Sequence, residues 1–258
     1  MIYNSIHRTI KAMLSAAFCA SIASPLAAAE KPDAKPVEKP NILFIMVDDL
    51  GKEWLSCYGG EEIKTPNIDA LAAGGMTFNN AYSMPSCTSS RTMLLTGKYP
   101  WRNGYVNHWD VPRWGAGARY DVEAYPCNLG LAMRDAGYAT AIAGKWQIND
   151  FRVEPNALDA AGFDDWCMWT GGEGDNPPSD ERYWDPYVFT KDEPAQTYPG
   201  AFGPDLFCDF VIDFARNHND GDKPFFIYYP MVLMVSDIYV EFQPHRMSLS
   251  SFIQYKYI

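Results

Sequence analysis

The sequence predicts an α/β fold built on a mostly parallel sheet with helices on both faces. Apolar runs with the length of a buried strand occur at residues 41–47, 139–143 and 224–229. Such unbroken runs are typical of strands that are covered on both faces of a parallel sheet. Segments with helical start and stop signals lie between them, at residues 65–72 and 204–217. Strands that alternate with helices in this way indicate an α/β sheet.

Composition and charge exclude several classes of protein. The chain has 258 residues, of which 47% are hydrophobic and 21% are charged, so it is neither a disordered nor a fibrous protein. Lys and Arg number 21 against 32 Asp and Glu, which gives a formal net charge of -11. We therefore expect no broad binding surface for nucleic acid or anionic lipid. The six cysteines form no Cys-x-x-Cys pair, so their spacing indicates neither a zinc site nor thiol exchange.

The first 40 residues are predicted to lie outside the folded domain. Basic residues up to Lys11 precede a short apolar stretch and a run of alanines that ends at Ala29. This pattern predicts a secretory signal peptide over residues 1–29, too short and too interrupted to act as a stable membrane anchor. Residues 30–40 contain three prolines and alternating charges, which is typical of an extended tether. We expect an exported protein, either periplasmic or extracellular.

The domain begins after Pro40, and its elements are predicted from local patterns. The first strand, residues 41–47, stops at two aspartates, and the helix at residues 65–72 has a proline in its first turn and a glycine pair behind it. Residues 204–217 form a helix with apolar side chains along one side. Five other segments are assigned in chain order: a strand at 76–82, a helix at 89–96, a loop through residue 120, a helix at 128–136 and an irregular excursion at 171–200.

Charged side chains follow two of the predicted strands. Asp48 and Asp49 come directly after the first strand, and Lys145 follows the strand at residues 139–143. In sheets of this kind ligands collect beyond the carboxyl ends of the strands. We therefore expect these three side chains to lie at a functional site.

A cysteine and an arginine are placed at the start of one helix. Cys87 stands at the predicted N-terminus, and Arg91 follows four residues later. Unpaired backbone N–H groups at a helix N-terminus favour an anion, and the planar guanidinium suits a tetrahedral oxyanion. The segment thus indicates a nucleophile and a cation on the same side of an anion site.

Four segments carry a family pattern, in this order: residues 41–49, 65–72, 87–97 and 137–147. On these segments the sequence resembles the sulfatase family of the alkaline phosphatase superfamily, from about residue 40 to residue 234. The resemblance implies that residues 41–234 are part of a sulfatase catalytic domain. It also implies the hydrolysis of aryl or carbohydrate sulfates.

The resemblance further implies a role for each site residue. Cys87 would be oxidised to formylglycine by a dedicated maturation enzyme and would serve as the nucleophile. Asp48 and Asp49 would hold a calcium ion against residue 87 and the sulfate. Arg91 would support the formylglycine, while Lys145 would neutralise charge on the substrate. Lys145 and Gln147 would contact the substrate.

The sequence departs from the family pattern in three places. Ser89 stands where proline or alanine is usual in the maturation signature, and Gln147 replaces the usual histidine, so an amide takes the place of a group that can shuttle a proton. The pattern fades after residues 230–234, and residues 235–258 form a tail without family pattern or periodicity. We expect this tail to result from a frameshift or premature stop. A chain truncated before the last strands and the C-terminal subdomain is expected to be poorly soluble and to lack calcium-dependent activity.

Two alternatives to a sulfatase stay open at this stage. The first is a phosphodiesterase or phosphonate hydrolase of the same superfamily, because a metal and a nucleophile in this arrangement also suit phosphoryl transfer. The second is a non-catalytic protein that binds sulfated glycans through Arg91, Lys145 and the aromatic residues Trp101 and Trp109.

Overall fold

A computed structural model describes most of the region after the predicted tether. The described residues are 39–106, 128–149, 151, 154–169, 182–219, 221–232, 239–241 and 254–256. The predicted signal peptide and nearly all of the predicted tether lie outside these ranges. The part of the chain that the structure describes contains no helix long and apolar enough to span a membrane.

Eight strands are present in the described residues. They are β1 (Ile42–Met46), β2 (Ala139–Lys145), β3 (Asp165–Trp169), β4 (Tyr187–Thr190), β5 (Gln196–Thr197), β6 (Phe225–Pro230), β7 (Tyr239–Glu241) and β8 (Gln254–Lys256).

Six α-helices and two short 3-10 helices connect these strands. The α-helices are α1 (Pro66–Gly74), α2 (Cys87–Thr96), α3 (Pro100–Asn103), α4 (Leu129–Asp135), α5 (Ala157–Ala160) and α6 (Gly203–His218). The 3-10 helices span Lys52–Trp54 and Ser56–Tyr58.

The main sheet has six strands in the order β1-β6-β2-β3-β4-β5. The first four are parallel, whereas β4 and β5 are antiparallel to their neighbours. Strands β7 and β8 form a separate antiparallel pair. The mostly parallel sheet that the sequence predicts is therefore confirmed, with an antiparallel edge that the sequence reading missed.

Helices cover both faces of the main sheet, as predicted. On one face, side chains of α4 and α5 such as Met133 and Leu158 pack with Ile142 of β2. On the other face, Phe207 and Val211 of α6 belong to a second core cluster. Strands β2 and β6 are buried along their whole length, because they lie in the middle of the sheet under both layers.

Two secondary-structure predictions fail, and one strand was missed. Residues 76–82, predicted as a strand, are irregular and expose Met76, Phe78 and Tyr82; a strand needs a paired neighbour, and none pairs with them within the described ranges. The second half of the excursion at residues 171–200 forms β4 and β5. Strand β3 was not predicted, since its Asp-Trp-Cys-Met-Trp sequence lacks the β-branched residues that signal a strand.

Candidate active site

The loop after β1 presents two adjacent carboxylates in different environments. Asp48 is buried, with 6% of its surface exposed, whereas Asp49 is exposed and has a left-handed backbone, with φ of 50°. Non-glycine residues rarely adopt this conformation, and it clusters at functional sites. Both aspartates lie just beyond β1, from which Val47 separates them, but they do not share one environment.

Helix α2 begins at the predicted nucleophile. Cys87 is its first residue, and Gly97 ends it in the left-handed conformation. Two hydrogen bonds anchor the first turn: Thr88 Oγ1 donates to the Gln147 carbonyl oxygen at 2.8 Å, and Ser89 Oγ donates to the Tyr105 carbonyl oxygen at 2.8 Å. The N-terminus of α2 is therefore fixed to the segment that follows β2.

Gln147 lies directly against Cys87. The Cys87 thiol donates a hydrogen bond to Gln147 Oε1, with 3.1 Å between sulfur and oxygen. Gln147 is buried and has φ of 49°, a second left-handed residue at this edge of the sheet. The surrounding fold holds the backbone of Gln147 in this strained conformation, in which its side-chain amide lies beside the Cys87 thiol.

A buried carboxylate carries two cations at the centre of the site. Asp48 Oδ1 accepts from Arg91 Nη2 at 3.0 Å, and Asp48 Oδ2 accepts from Lys145 Nζ. Arg91 Nη1 also donates to the Lys145 carbonyl oxygen at 2.9 Å. Arg91 is 2% exposed and Lys145 is 5% exposed. One carboxylate against two cations leaves an excess of one positive charge in a water-poor setting, which favours an anion.

Tyr228 of β6 belongs to the same environment, although the sequence reading did not select it. Burial raises the pKa of its phenol to about 12, while the nearby Arg91 charge opposes the shift. Its hydroxyl contacts Met46 Sδ at 3.4 Å. The signal in the sequence was a tyrosine within the apolar run at residues 224–229. This signal places Tyr228 at the site once the pairing of β6 with β1 and β2 is known from the structure.

The predicted calcium ligands do not form a metal site in this arrangement. No group of three or more His, Cys, Asp or Glu side chains among the described residues is placed to hold a metal ion. Both oxygens of Asp48 already bind cationic side chains, and Asp49 is exposed. Calcium takes six to eight oxygen ligands. Asp48, Asp49 and Cys87 as they stand therefore do not fit a calcium ion.

Among the described members of the candidate site for sulfated-glycan binding, only Trp101 is exposed. Trp101 is exposed and stacks on Tyr99, with 4.5 Å between the ring centroids. Trp109 lies outside the described residues. Arg91 and Lys145 are buried and paired with Asp48, so they are not part of an exposed binding surface.

A family profile described as Sulfatase matches residues 40–232. The chain belongs to the sulfatase family. Its strands β1, β2 and β6 and its helix α2, which build the site, all lie within the matched region. The resemblance found in the sequence is therefore confirmed.

Several named sulfatases are similar to this chain. An N-acetylglucosamine-6-O-sulfatase of Bacteroides thetaiotaomicron is 31% identical over 205 residues, which are 79% of this chain and 32% of that protein. An N-acetylgalactosamine-6-sulfatase of Canis lupus familiaris is 30% identical and matches 78% of this chain and 41% of that protein. The matched part of the chain thus spans between 32% and 41% of the length of these relatives.

One solved structure resembles the fold at a TM-score of 0.60 and 27% identity. It is described as a complex with its substrate D-glucosamine-2-N,6-O-disulfate. The match covers 79% of this chain and 36% of that chain. The sulfatase fold of the matched region is therefore supported independently of the family profile.

Proposed function

We propose that this chain carries the nucleophile side of a sulfatase active site that hydrolyses sulfated carbohydrates. The observation that carries the proposal is the convergence of two cations, Arg91 and Lys145, on one buried carboxylate at the helix that begins with Cys87. The excess of one positive charge matches a sulfate monoester, which carries one negative charge.

The residues have distinct roles in this proposal. Cys87, matured to formylglycine, would supply the hydroxyl that attacks sulfur. Lys145 and Arg91 stabilise the negative charge of the sulfate oxygens, and their burial strengthens this effect because little water screens them. Gln147 holds the side chain of residue 87 in place and donates from its amide to the substrate. Because Gln147 does not titrate, it does not act as an acid or base.

Asp48 and Asp49 are proposed to serve a calcium ion once their surroundings have changed. A hard divalent cation matches carboxylate oxygens. Because both oxygens of Asp48 are in ion pairs, a calcium ion does not bind this carboxylate directly in the arrangement described above. No step of the proposed reaction therefore depends on the metal. The signal peptide, export and the maturation enzyme that acts on Cys87 remain part of the same proposal.

A carbohydrate sulfate is favoured over an aryl sulfate as the natural substrate. The relatives include enzymes named for 6-sulfated N-acetylhexosamines, and the similar solved structure holds a sulfated glucosamine. We therefore propose a 6-O-sulfated amino sugar as the substrate class. Trp101, exposed and stacked on Tyr99, is a surface on which a longer glycan could stack.

The test is a comparison of esters after co-expression with a maturation enzyme. The proposal predicts hydrolysis of 6-O-sulfated N-acetylglucosamine and of 4-nitrophenyl sulfate, and much slower hydrolysis of bis(4-nitrophenyl) phosphate. The absence of any hydrolysis would instead agree with the loss of activity expected from the sequence. Cys87→Ala should lower kcat by about 10³-fold or more, because it removes the nucleophile. Cys57→Ala is the matched control, a half-buried thiol outside the site, and should retain activity.

Two results would contradict the proposal. Peptide mass spectrometry that finds only a free thiol at Cys87 in protein from the native host would remove the formylglycine nucleophile. A preference for the phosphodiester over the sulfate with the same leaving group would instead favour the phosphodiesterase alternative.

A further inference from the structure

We propose that residues 98–102, the turn between α2 and α3, form a separate surface that binds sulfated glycan chains. The turn presents two stacked aromatic rings, Tyr99 and Trp101, and a cation precedes and follows this pair in the chain. It lies at the opposite end of α2 from Cys87, about 15 Å along the helix axis. The inference rests on the proposed function for the class of ligand, and it adds a site that takes no part in the reaction.

The first observation is an aromatic pair that faces water. The rings of Tyr99 and Trp101 are nearly parallel, with 6° between their planes and 4.5 Å between their centroids. Both side chains are more than half exposed. Each ring covers one face of the other and leaves its outer face in solvent. Exposed apolar surface with a polar rim marks interaction sites, and a flat ring face suits the apolar C–H face of a sugar.

The second observation is a local absence of acidic residues. Residues 70–109 contain no Asp or Glu, although the whole chain has 32. Lys98 and Arg102 lie in this stretch and are exposed, each next to one of the two rings in the chain. Arg102 forms no ion pair with any described residue. Its planar guanidinium suits the two oxygens of a sulfate, so a polyanion that the net charge repels elsewhere meets positive charge here.

The third observation is that the turn is held in place by one buried side chain. Asn103 Nδ2 donates to the Lys98 carbonyl oxygen at 3.0 Å, and Asn103 Oδ1 accepts from the backbone N–H of Tyr105 at 2.9 Å. The backbone N–H of Arg102 also donates to the Tyr99 carbonyl oxygen at 2.8 Å. The backbone that carries the rings and the cations is therefore fixed before a ligand binds, which lowers the entropic cost of binding.

A sulfated glycan is the ligand that fits these observations together with the family. A sulfatase meets chains that carry many sulfate groups, and a surface remote from Cys87 can hold one part of such a chain while another part reaches the site. The rings match sugar faces, and the cations match the sulfates. A single-stranded nucleic acid also combines flat rings with negative charge, so it is the competitor in the test.

The first experiment measures binding to immobilised heparin by the chain produced without a maturation enzyme. The double variant Trp101→Ala and Arg102→Ala should bind at least about tenfold more weakly, because it loses a stacking ring and a charge-assisted hydrogen bond. The matched control is Trp184→Ala with Arg216→Ala, which removes an exposed ring and an exposed cation elsewhere and should keep the wild-type affinity.

Three results of this experiment overturn the proposal. They are no binding of heparin by the wild type, an equal loss of affinity in the test and control variants or in neither, and affinity for single-stranded DNA as high as that for heparin. Thermal melts verify folding, and both double variants should melt at the wild-type temperature because all four side chains are exposed.

The second experiment uses the wild type and so does not depend on the folding of a variant. Hydroxyl-radical oxidation of aromatic side chains is followed by mass spectrometry with and without heparin. Oxidation of Tyr99 and Trp101 should fall at least about twofold with heparin, because a stacked sugar covers their outer faces, while Trp184 keeps its rate. Unchanged oxidation of Trp101 overturns the proposal. Neither experiment needs matured Cys87 or turnover, so a failure of the sulfatase proposal is seen separately, as absent hydrolysis with heparin binding retained.

Discussion

At the scale of single residues, Gln147 combines three features that seldom occur together. Its backbone is left-handed, its side chain is buried, and its amide oxygen accepts from the Cys87 thiol at 3.1 Å. Its carbonyl oxygen also accepts from Thr88 Oγ1. The residue therefore joins the end of β2 to the start of α2 through both its side chain and its backbone.

Replacement of Gln147 should separate orientation of the nucleophile from folding. Glycine tolerates the left-handed backbone, so Gln147→Gly removes the amide without adding backbone strain. We expect kcat to fall about tenfold, equivalent to about 1.4 kcal/mol of transition-state stabilisation. Gln147→Ala should lose the same activity and also some thermal stability, because alanine is strained at this φ. Steady-state kinetics and thermal melts measure both effects, and an unchanged kcat in Gln147→Gly would show that the amide does not position residue 87.

The raised pKa of buried Tyr228 predicts that the protein loses stability at alkaline pH. Burial raises the pKa of this phenol to about 12 in the folded protein, while an unfolded tyrosine ionises near pH 10. Above pH 10 the unfolded chain releases a proton that the folded protein keeps, so the free energy of unfolding falls as pH rises. We expect a contribution of about 1 kcal/mol between pH 10 and 11 from this group.

Urea unfolding at pH 8, 10 and 11 tests the Tyr228 prediction. Tyr228→Phe should show a shallower decline in stability above pH 10 than the wild type. Tyr82→Phe, which changes an exposed tyrosine, is the control and should follow the wild-type pH dependence. Equal slopes in Tyr228→Phe and the wild type would contradict the prediction.

At the scale of elements, the end of β2 depends on a close approach to β6. Gly144 has φ of 104°, and a Cβ at this position would collide with the Pro230 carbonyl oxygen at the end of β6. A side chain therefore forces the two central strands apart at the position just before Lys145. The geometry of the ion pair between Lys145 and Asp48 depends on this contact.

A matched pair of glycine variants isolates this contact between β2 and β6. Gly144→Ala combines backbone strain with a clash against backbone and should lower the free energy of unfolding by about 3 kcal/mol or more. Gly137→Ala has similar strain, with φ of 88°, but open space around the new Cβ, so we expect a loss of about 1 kcal/mol. Denaturant unfolding measures both losses. Similar losses of unfolding free energy in Gly144→Ala and Gly137→Ala would mean that the contact between β2 and β6 adds nothing to the cost of the Gly144 substitution.

The sequence predicted the elements of the site better than the contacts between them. Unbroken apolar runs identified β1, β2 and β6, because strands buried on both faces have no polar side. The position of Asp48 and Lys145 at the same edge of the sheet followed from topology, because the carboxyl ends of parallel strands meet there. The strand predicted at residues 76–82 was wrong, because a strand needs a paired neighbour and none pairs with this segment among the described residues. The binding of Lys145 to Asp48 was not foreseen, since residue types give chemistry but not distances between side chains.

At the scale of the whole molecule, charge and exposed apolar surface act in opposite directions. The chain has a net charge of -11, which favours repulsion between copies. The segment that failed as a strand exposes large apolar side chains: Met76 at 78%, Phe78 at 63% and Tyr82 at 87%. Tyr58 Oη donates to the Phe78 carbonyl oxygen at 3.0 Å, so the backbone of this segment is anchored while its side chains remain in solvent.

These two properties predict self-association that increases with salt. Added salt shortens the Debye length to about 8 Å at 0.15 M, which screens the repulsion and leaves the attraction between apolar patches. Light scattering of the purified chain should therefore rise between low and physiological salt. The double variant Met76→Lys and Phe78→Ser should abolish the rise, because it removes apolar surface and adds charge. The control variant Lys52→Ser changes an exposed polar residue nearby. Its light scattering should still rise with salt, since the apolar side chains stay in place. Association that falls with salt would instead mean that copies attract through charges, and the exposed segment at residues 76–82 would not be its cause.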